Sequence, residues 1–185
     1  MKLLLFSAAI ASSIISAKGA PTDDMESLRT SCKSAANVLN ASLNNTAAMD
    51  TSGLIQNITW QLGASKWNLA NLNETSPSNA TSNTTSDLES AYFGYANSII
   101  TLSEAVSRRG RMYHQELNSP VYNALRGLAL GVQAYGMQLR NAGMLSQQAI
   151  IRTFTAGSSI VDAESEWAGN DNYPGRLRTR AMPGR

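Results

Sequence analysis

Two consecutive segments with a heptad pattern, between Ser86 and Asn141, constrain most strongly what this chain folds into. In the first, apolar side chains recur at alternating steps of four and three, which places them on one face of an α-helix. This row consists of Leu88, Tyr92, Tyr95, Ile99, Leu102, Val106 and Tyr113, and Arg109 interrupts it. Ser86 and Glu89 form a capping box, so this helix is predicted to begin at Ser86.

The second segment follows an Asn118-Ser119-Pro120 turn, in which Ser119 suits the cap and Pro120 the first position of a new helix. Its row consists of Val121, Leu125, Leu128, Val132, Tyr135, Leu139 and Ala142. A short connection predicts that the two helices are antiparallel neighbours. Gly127 and Gly131 indicate a tight crossing of another helix or, alternatively, a dimer face.

Three further helices are predicted from the same periodicity. The first has a cap at Asp23 and Glu26, the second is capped by Asp50, and the last starts at Ser146 after Gly143 and ends near Trp167. The apolar row of the first helix is Met25, Leu28, Cys32, Ala35, Leu39 and Leu43. That of the second is Leu54, Ile58, Leu62, Leu69 and Leu72. That of the last is Ile150, Ile151, Phe154 and Ile160 or Val161. The predicted fold is therefore all-α, an antiparallel bundle of four to five helices without strands.

The ends of the chain indicate a secreted protein. Residues 1–19 combine a basic start, an apolar core and a small-residue exit, which is typical of a cleaved signal peptide. The bundle domain is predicted over 20–172, and residues 173–185 form a basic tail without periodicity that is predicted to be disordered. The bundle has more acidic than basic side chains, which argues against a nucleic-acid partner. No later run has the length of an integral membrane span.

Six acceptor triplets for N-linked sugar precede residue 86. They begin at Asn40, Asn44, Asn57, Asn73, Asn79 and Asn83. The segment 73–86 is rich in Asn, Ser and Thr and is predicted to be a glycosylated loop. The first half of the chain is therefore the predicted carbohydrate-bearing side.

The sequence offers little for catalysis. A single histidine, His114, and a single cysteine, Cys32, fall in separate segments, so neither a metal site nor a nucleophile and base is predicted. Cys32 lies on an apolar row, as a buried thiol or as an intermolecular bridge. Arg108-Arg109 indicates a charged surface patch or a processing site. We therefore predict a protein that is not an enzyme and needs no cofactor.

Trp60 and Trp67 are the least ordinary feature of the sequence. At 100° per residue they point away from the apolar row of their own helix. Either this helix is buried on two sides, or the two indoles are partly exposed and contact a ligand or an apolar surface. They are the candidate ligand-binding residues.

Several spacings resemble a known family. Leu54-Ile55-x-x-Ile58 opens a long helix, Val121-x-x-x-Leu125-x-x-Leu128 follows a turn, and Ile151-x-x-Phe154 lies in the last helix. This pattern, between Gly53 and Trp167, resembles the fungal hydrophobic surface-binding and cell-wall galactomannoprotein family. The resemblance implies a non-enzymatic protein, at the cell wall or outside the cell, that adheres to apolar surfaces or holds a lipid between its helices.

Two functions fit these observations. The leading hypothesis is a secreted, N-glycosylated protein that binds lipids or hydrophobic surfaces at the cell wall, through the bundle interior or through Trp60 and Trp67. The alternative is a small secreted effector-like protein that acts on a cell-wall or host protein without a small-molecule ligand.

Overall fold

A computed structural model describes residues 21–42, 49–75, 83–112, 114 and 116–168. This part of the chain forms five α-helices and has no strand, which confirms the all-α bundle. The helices are α1 (Pro21–Ala41), α2 (Thr51–Thr75), α3 (Asn83–Arg111), α4 (Asn118–Asn141) and α5 (Gln147–Trp167). Among the described residues, no helix combines the length and the hydropathy needed to span a membrane.

The five helices close into a ring in the order α1, α3, α5, α4, α2. Helix α1 is antiparallel to α2, because Asp24 bonds to Asn68 and Ser31 to Gln61. Helices α1, α3 and α5 run parallel to one another, and α2 and α4 run the opposite way. One end of the bundle, the Arg109 end, is thus where α1, α3 and α5 end and α2 and α4 begin.

Helices α3 and α4 are not the packed neighbours that their short connection suggested. Helix α5 lies between them and packs on both. It fits there because the side chains that it buries are mostly small, namely Ala149, Thr153, Ala156 and Ala163. A methyl group added to Gly136 of α4 would lie 2.8 Å from the Thr153 methyl carbon, which shows how close α4 and α5 come.

The predicted apolar rows of α1, α3 and α4 form the core. Every described member of these rows is buried except Ala142, which is half-buried, while Leu43 and Tyr113 lie outside the described residues. In the centre, Tyr95 stands edge-on to Tyr92 and to Tyr135, with ring centroids 5.8 and 6.3 Å apart. Aromatic rings from α3 and α4 therefore fill the interior that was one of the two predicted lipid sites.

The structure corrects the apolar row predicted for α5. Ile160 is buried, but Ile151, Phe154 and Val161 are 59%, 61% and 55% exposed. Helices α3 and α4 pack closely on the small side chains of α5, so Ile151, Phe154 and Val161 face outward. This outward row is a second apolar surface, which the periodicity of large residues had placed in the core.

Helix ends agree with the sequence at some points and not at others. The Asp50 carboxylate accepts from Gly53 N at 2.7 Å, and the Ser146 hydroxyl accepts from Ala149 N at 3.3 Å, so both predicted caps are confirmed. Gly143, with φ 70°, ends α4 as expected. The caps predicted at Asp23, Ser86 and Ser119 are wrong. Helix α1 begins two residues before Asp23, α3 begins three residues before Ser86, and α4 begins one residue before Ser119.

The glycosylated loop predicted over 73–86 is shorter than expected. Helix α2 continues to Thr75 and α3 begins at Asn83. Polar residues cost a helix only a few tenths of a kcal/mol each, so helices fixed by core packing extend through them. Residues 76–82 lie outside the described residues, as do the predicted signal peptide (1–19) and the predicted tail (173–185).

Cys32 is fully buried in α1. Burial raises the pKa of its thiol to about 12, against the smaller lowering effect of a hydrogen bond with Ser98. A thiol without exposed surface neither ionises near neutral pH nor reaches a second chain. The buried alternative is therefore confirmed, and the intermolecular bridge is wrong for this conformation.

Candidate functional site

Trp60 and Trp67 lie on the outward face of α2, with 54% and 67% of their surface exposed. The opposite face of this helix is the buried one and carries Ile55, Ile58, Leu62 and Leu69. The interpretation that α2 is buried on two sides is therefore wrong. The alternative, in which both indoles are exposed, is what the structure shows.

The two indoles border an open groove of about 1050 Å³. They are seven residues apart, so they project from the same side of the helix about two turns, or roughly 10 Å, apart. Gly63 and Ala64 occupy the turn between them and leave the space beside the rings open. The surface is rigid, because it is part of a helix whose other face is in the core.

Polar groups of α1 form one border of this groove. Asn68 donates to the Asp24 carboxylate at 3.3 Å, and Ser31 donates to Gln61 at 2.8 Å. Burial raises the pKa of Asp24, and the hydrogen bond from Asn68 partly offsets that rise. The border therefore offers hydrogen-bonding groups and the carboxyl groups of Asp23 and Asp24 beside the exposed rings.

Helix α4 forms the opposite border, at the glycines that the sequence singled out. Gly127 faces Thr59, and Gly131 faces Leu62 of α2. The pair therefore lies under the α2 crossing and not on a dimer face. Of the two glycines, Gly127 lines the groove, together with Asn123 and Ala124.

The α1 border of the groove was not predicted. Asp23 was interpreted only as a helix cap, and Asp24 and Asn68 were not singled out. No sequence signal links them to the tryptophans, because the contact depends on the antiparallel packing of α1 against α2.

The described acceptor asparagines lie at different places on the first three helices. Asn57 is exposed on α2 and accepts a hydrogen bond from Gln61 at 3.2 Å. Asn40 is half-buried at the end of α1, and the backbones of Asn73 and Asn83 lie at helix ends. Asn44 and Asn79 are outside the described residues. Glycosylation of all six stays a prediction.

His114 is buried in the connection between α3 and α4, with 2% of its surface exposed. Its ring stacks on the indole of Trp167, with centroids 4.3 Å apart. Burial lowers its pKa, partly compensated by the nearby Glu116 carboxylate, while Arg109 lowers it further. The stack on Trp167 packs the connection between α3 and α4 against the end of α5.

Arg109, the interruption in the α3 row, lies in a buried polar network at the Arg109 end. Its Nε donates to Glu116 Oε1 at 2.5 Å, and its Nη1 donates to the Ser42 hydroxyl at 3.1 Å. Glu116 Oε2 accepts from Thr51 N at 2.9 Å and thereby caps α2. The neighbouring Arg108 is exposed and pairs loosely with Glu104 at 3.8 Å. The predicted surface position is thus confirmed for Arg108 and wrong for Arg109.

The position of His114 predicts how stability depends on pH. Because its pKa is lower in the folded protein than the usual value near 6.5, the unfolded chain binds the proton more readily. The free energy of unfolding should therefore be constant above pH about 7 and fall by up to about 1.4 kcal/mol per pH unit below pH about 6.5. Urea unfolding at pH 7.5, 6.5 and 5.5 measures this slope.

His114→Phe is the control, because it keeps a ring against Trp167 and removes the titrating group. The chain has one histidine, and carboxylates protonate mostly below pH about 5. The variant should therefore lose the slope between pH 6.5 and 5.5. An equal slope in both proteins would assign it to another group.

The described residues contain no cluster of three or more His, Cys, Asp or Glu side chains that could hold a metal ion. Asp162 and Glu164 are exposed or half-exposed on α5, and Glu166 pairs with Arg111 at 3.3 Å. These carboxylates form a solvated helix end. The groove of Trp60 and Trp67 is the candidate functional site.

No family model, curated protein or solved structure matches this chain.

Proposed function

We propose that this is a secreted, N-glycosylated, non-enzymatic protein that binds lipids or hydrophobic surfaces at the cell wall or outside the cell. The observation that supports the proposal is the exposure of Trp60 and Trp67 beside one groove. Exposed indoles on a rigid helix bind apolar groups without a large loss of conformational freedom. The resemblance described in the sequence analysis points to the same class of function.

The exposed tryptophan surface is large enough to matter energetically. An aromatic side chain buries 150–250 Å² at most, and more than half of each indole is free, so covering each releases on the order of 3 kcal/mol. Immobilising the ligand consumes part of this. Both indoles and the groove between them are therefore needed to bind a single lipid with micromolar affinity. An extended apolar surface has no such requirement, because it contacts many protein molecules at once.

The interior is a poor alternative for the ligand. Tyr92, Tyr95 and Tyr135 are fully buried at the centre of the ring and contact one another. A lipid chain in this place would have to separate packed helices. The outer groove requires no such change.

The test uses retention on polystyrene beads and on phosphatidylcholine vesicles, together with intrinsic fluorescence. The double variant Trp60→Ser/Trp67→Ser should lose at least tenfold in retention, while Val38→Ser, which removes an exposed apolar group from α1, should retain it. The chain has three tryptophans, so the double variant keeps buried Trp167 as a reporter of folding. Oleate or vesicles should shift the emission of the wild type to shorter wavelength and leave that of the double variant unchanged.

Equal retention of the wild type and the folded double variant would contradict the proposal. So would an emission spectrum that does not respond to vesicles, to oleate or to beads.

A second candidate is the effector-like protein that binds another protein. The polar border formed by Asp24, Asn68 and Gln61 around exposed indoles is the arrangement found in protein interfaces, where tryptophan often contributes most of the binding energy. Retention of one host or cell-wall protein by the glycosylated wild type, lost in the Trp60→Ser/Trp67→Ser variant and accompanied by no binding to vesicles, would favour it.

A further inference from the structure

Helix α5 carries a second apolar row, on the face that turns away from the bundle. Ile150, Phe154, Gly157 and Val161 follow one another at steps of four, three and four, which is the spacing of a helix-packing seam. Phe154 and Val161 are 61% and 55% exposed. None of the other described helices packs on this seam.

A groove accompanies this row between α4 and α5. It has a volume of about 390 Å³, and Ala129 and Gln133 line its α4 side. Beside Gly157 the space is empty, since a methyl group added there would meet no atom within 4 Å. On the outer face of α4, Leu130 and Met137 are 63% and 42% exposed and extend the apolar surface.

Charge is sparse along the α5 row but not absent from the surface. Between Gln147 and Val161 the only charged residue of α5 is Arg152, about 160° around the helix from Phe154, whereas Asp162 lines the groove. Arg126 and Arg140 are exposed on α4. An apolar centre with charged residues around it is typical of a protein interface.

The same surface is free of acceptor sites for N-linked sugar. All acceptor triplets precede residue 86, whereas α4 and α5 begin at Asn118 and Gln147. Asn118 itself is followed by Ser119 and Pro120, and this combination is not an acceptor. Carbohydrate on the first three helices would thus leave the α4–α5 face open for close contact.

We propose that this face binds a second copy of the chain, with α5 packed antiparallel against α5 of the other copy. In this register Phe154 lies opposite Gly157 and enters the groove beside it, and Ile150 lies opposite Val161. The row is self-complementary, because its one large aromatic residue and its one gap exchange places when the helix is reversed. A twofold axis between Phe154 and Gly157 makes both contacts twice, as an isologous dimer requires.

The available area indicates the strength of this dimer. Helices α4 and α5 have 24 and 21 residues, so they are about 30 Å long, and two adjacent helices present a face about 20 Å wide. This gives roughly 600 Å² per copy, near the lower limit for a specific interface. We therefore expect a dimer with a Kd of about 1–50 μM, which depends visibly on protein concentration.

Sedimentation equilibrium of the glycosylated protein between 1 and 200 μM tests the proposal. The wild type should shift from monomer to dimer across this range, and Phe154→Glu should weaken the association at least tenfold. Val38→Glu, a matched substitution at an exposed apolar site on α1, should dimerise like the wild type. Circular dichroism confirms that each variant is folded, and Val161→Lys provides a second variant of the seam with the same expected loss.

Cross-linking tests the register. When Phe154→Cys and Gly157→Cys proteins are mixed and oxidised, the mixed disulfide should form faster than either symmetrical one, because only residues 154 and 157 lie opposite each other. The native Cys32 is buried and does not compete. Faster formation of the symmetrical 154–154 bridge would contradict the antiparallel register.

A monomeric wild type at every concentration would overturn the proposal, as would a dimer that Phe154→Glu and Val161→Lys leave intact. Bead and vesicle retention separates this surface from that of Trp60 and Trp67. Phe154→Glu should keep retention while losing the dimer. If the wild type stayed monomeric at every concentration and Phe154→Glu lost vesicle binding, the face would be a lipid-binding surface and the dimer would be refuted.

Discussion

Replacing Arg109 by methionine is expected to lower the free energy of unfolding by about 3–5 kcal/mol. Arg109 and Glu116 are 3% and 9% exposed, and their charges compensate each other inside the protein. Removing the guanidinium leaves the Glu116 carboxylate buried, with Thr51 N still bonded to one oxygen, and also removes the donor to Ser42. Urea unfolding at pH 7.5, followed by circular dichroism, measures the loss.

Two comparisons make this prediction specific. Arg108→Met changes the same residue type one position earlier, at an exposed site whose ion pair is loose, and should change stability by less than about 0.5 kcal/mol. The double variant Arg109→Met/Glu116→Gln should be more stable than Arg109→Met alone, because it removes the uncompensated charge and keeps the carbonyl that accepts from Thr51 N. Equal losses for Arg108→Met and Arg109→Met would show that the buried pair is not what distinguishes these sites.

Replacing Trp167 by alanine should also lower the free energy of unfolding, by about 3–5 kcal/mol. This indole is 1% exposed, stacks on His114 and donates to Val106 O at 3.1 Å. Its deletion would leave a cavity between the end of α5, the end of α3 and the connection that follows α3. The measurement is again the free energy of unfolding from urea titration.

Trp60→Ala and Trp67→Ala are the matched controls for Trp167→Ala, because all three remove an indole from a helix. More than half of each control side chain is exposed, so each should change stability by less than about 1 kcal/mol. A loss above 2 kcal/mol at Trp60 or Trp67 would mean that these indoles stabilise the bundle, and it would weaken their assignment to binding.

The sequence was sufficient for the fold class and for most of the core. In α1, α3 and α4 the longest regular apolar row is the buried one, so periodicity alone identifies the buried face. In α5 there are two rows, one of small residues around Ala156 and one of large residues around Phe154. Periodicity favours the large row, whereas the tight packing of α5 between α3 and α4 requires the small one.

The candidate site was predicted only in part. Trp60 and Trp67 follow from their angle to the apolar row, but whether they are exposed depends on how many helices surround α2, which periodicity does not give. The partner of Arg109 comes from the connection after α3, and that of His114 comes from the end of α5. Both contacts join parts of the chain that no local pattern relates.

The parallel course of α1, α3 and α5 fixes where anything joined to the ends of the bundle emerges. Helix α1 starts at the pole opposite the one where α5 stops, and 21 residues of helix separate these poles by about 30 Å. A fluorescent label or affinity tag before Pro21 and another after Trp167 would thus project in opposite directions. A circular permutant that joins these points needs a linker of at least about ten extended residues to run along the outside of the molecule.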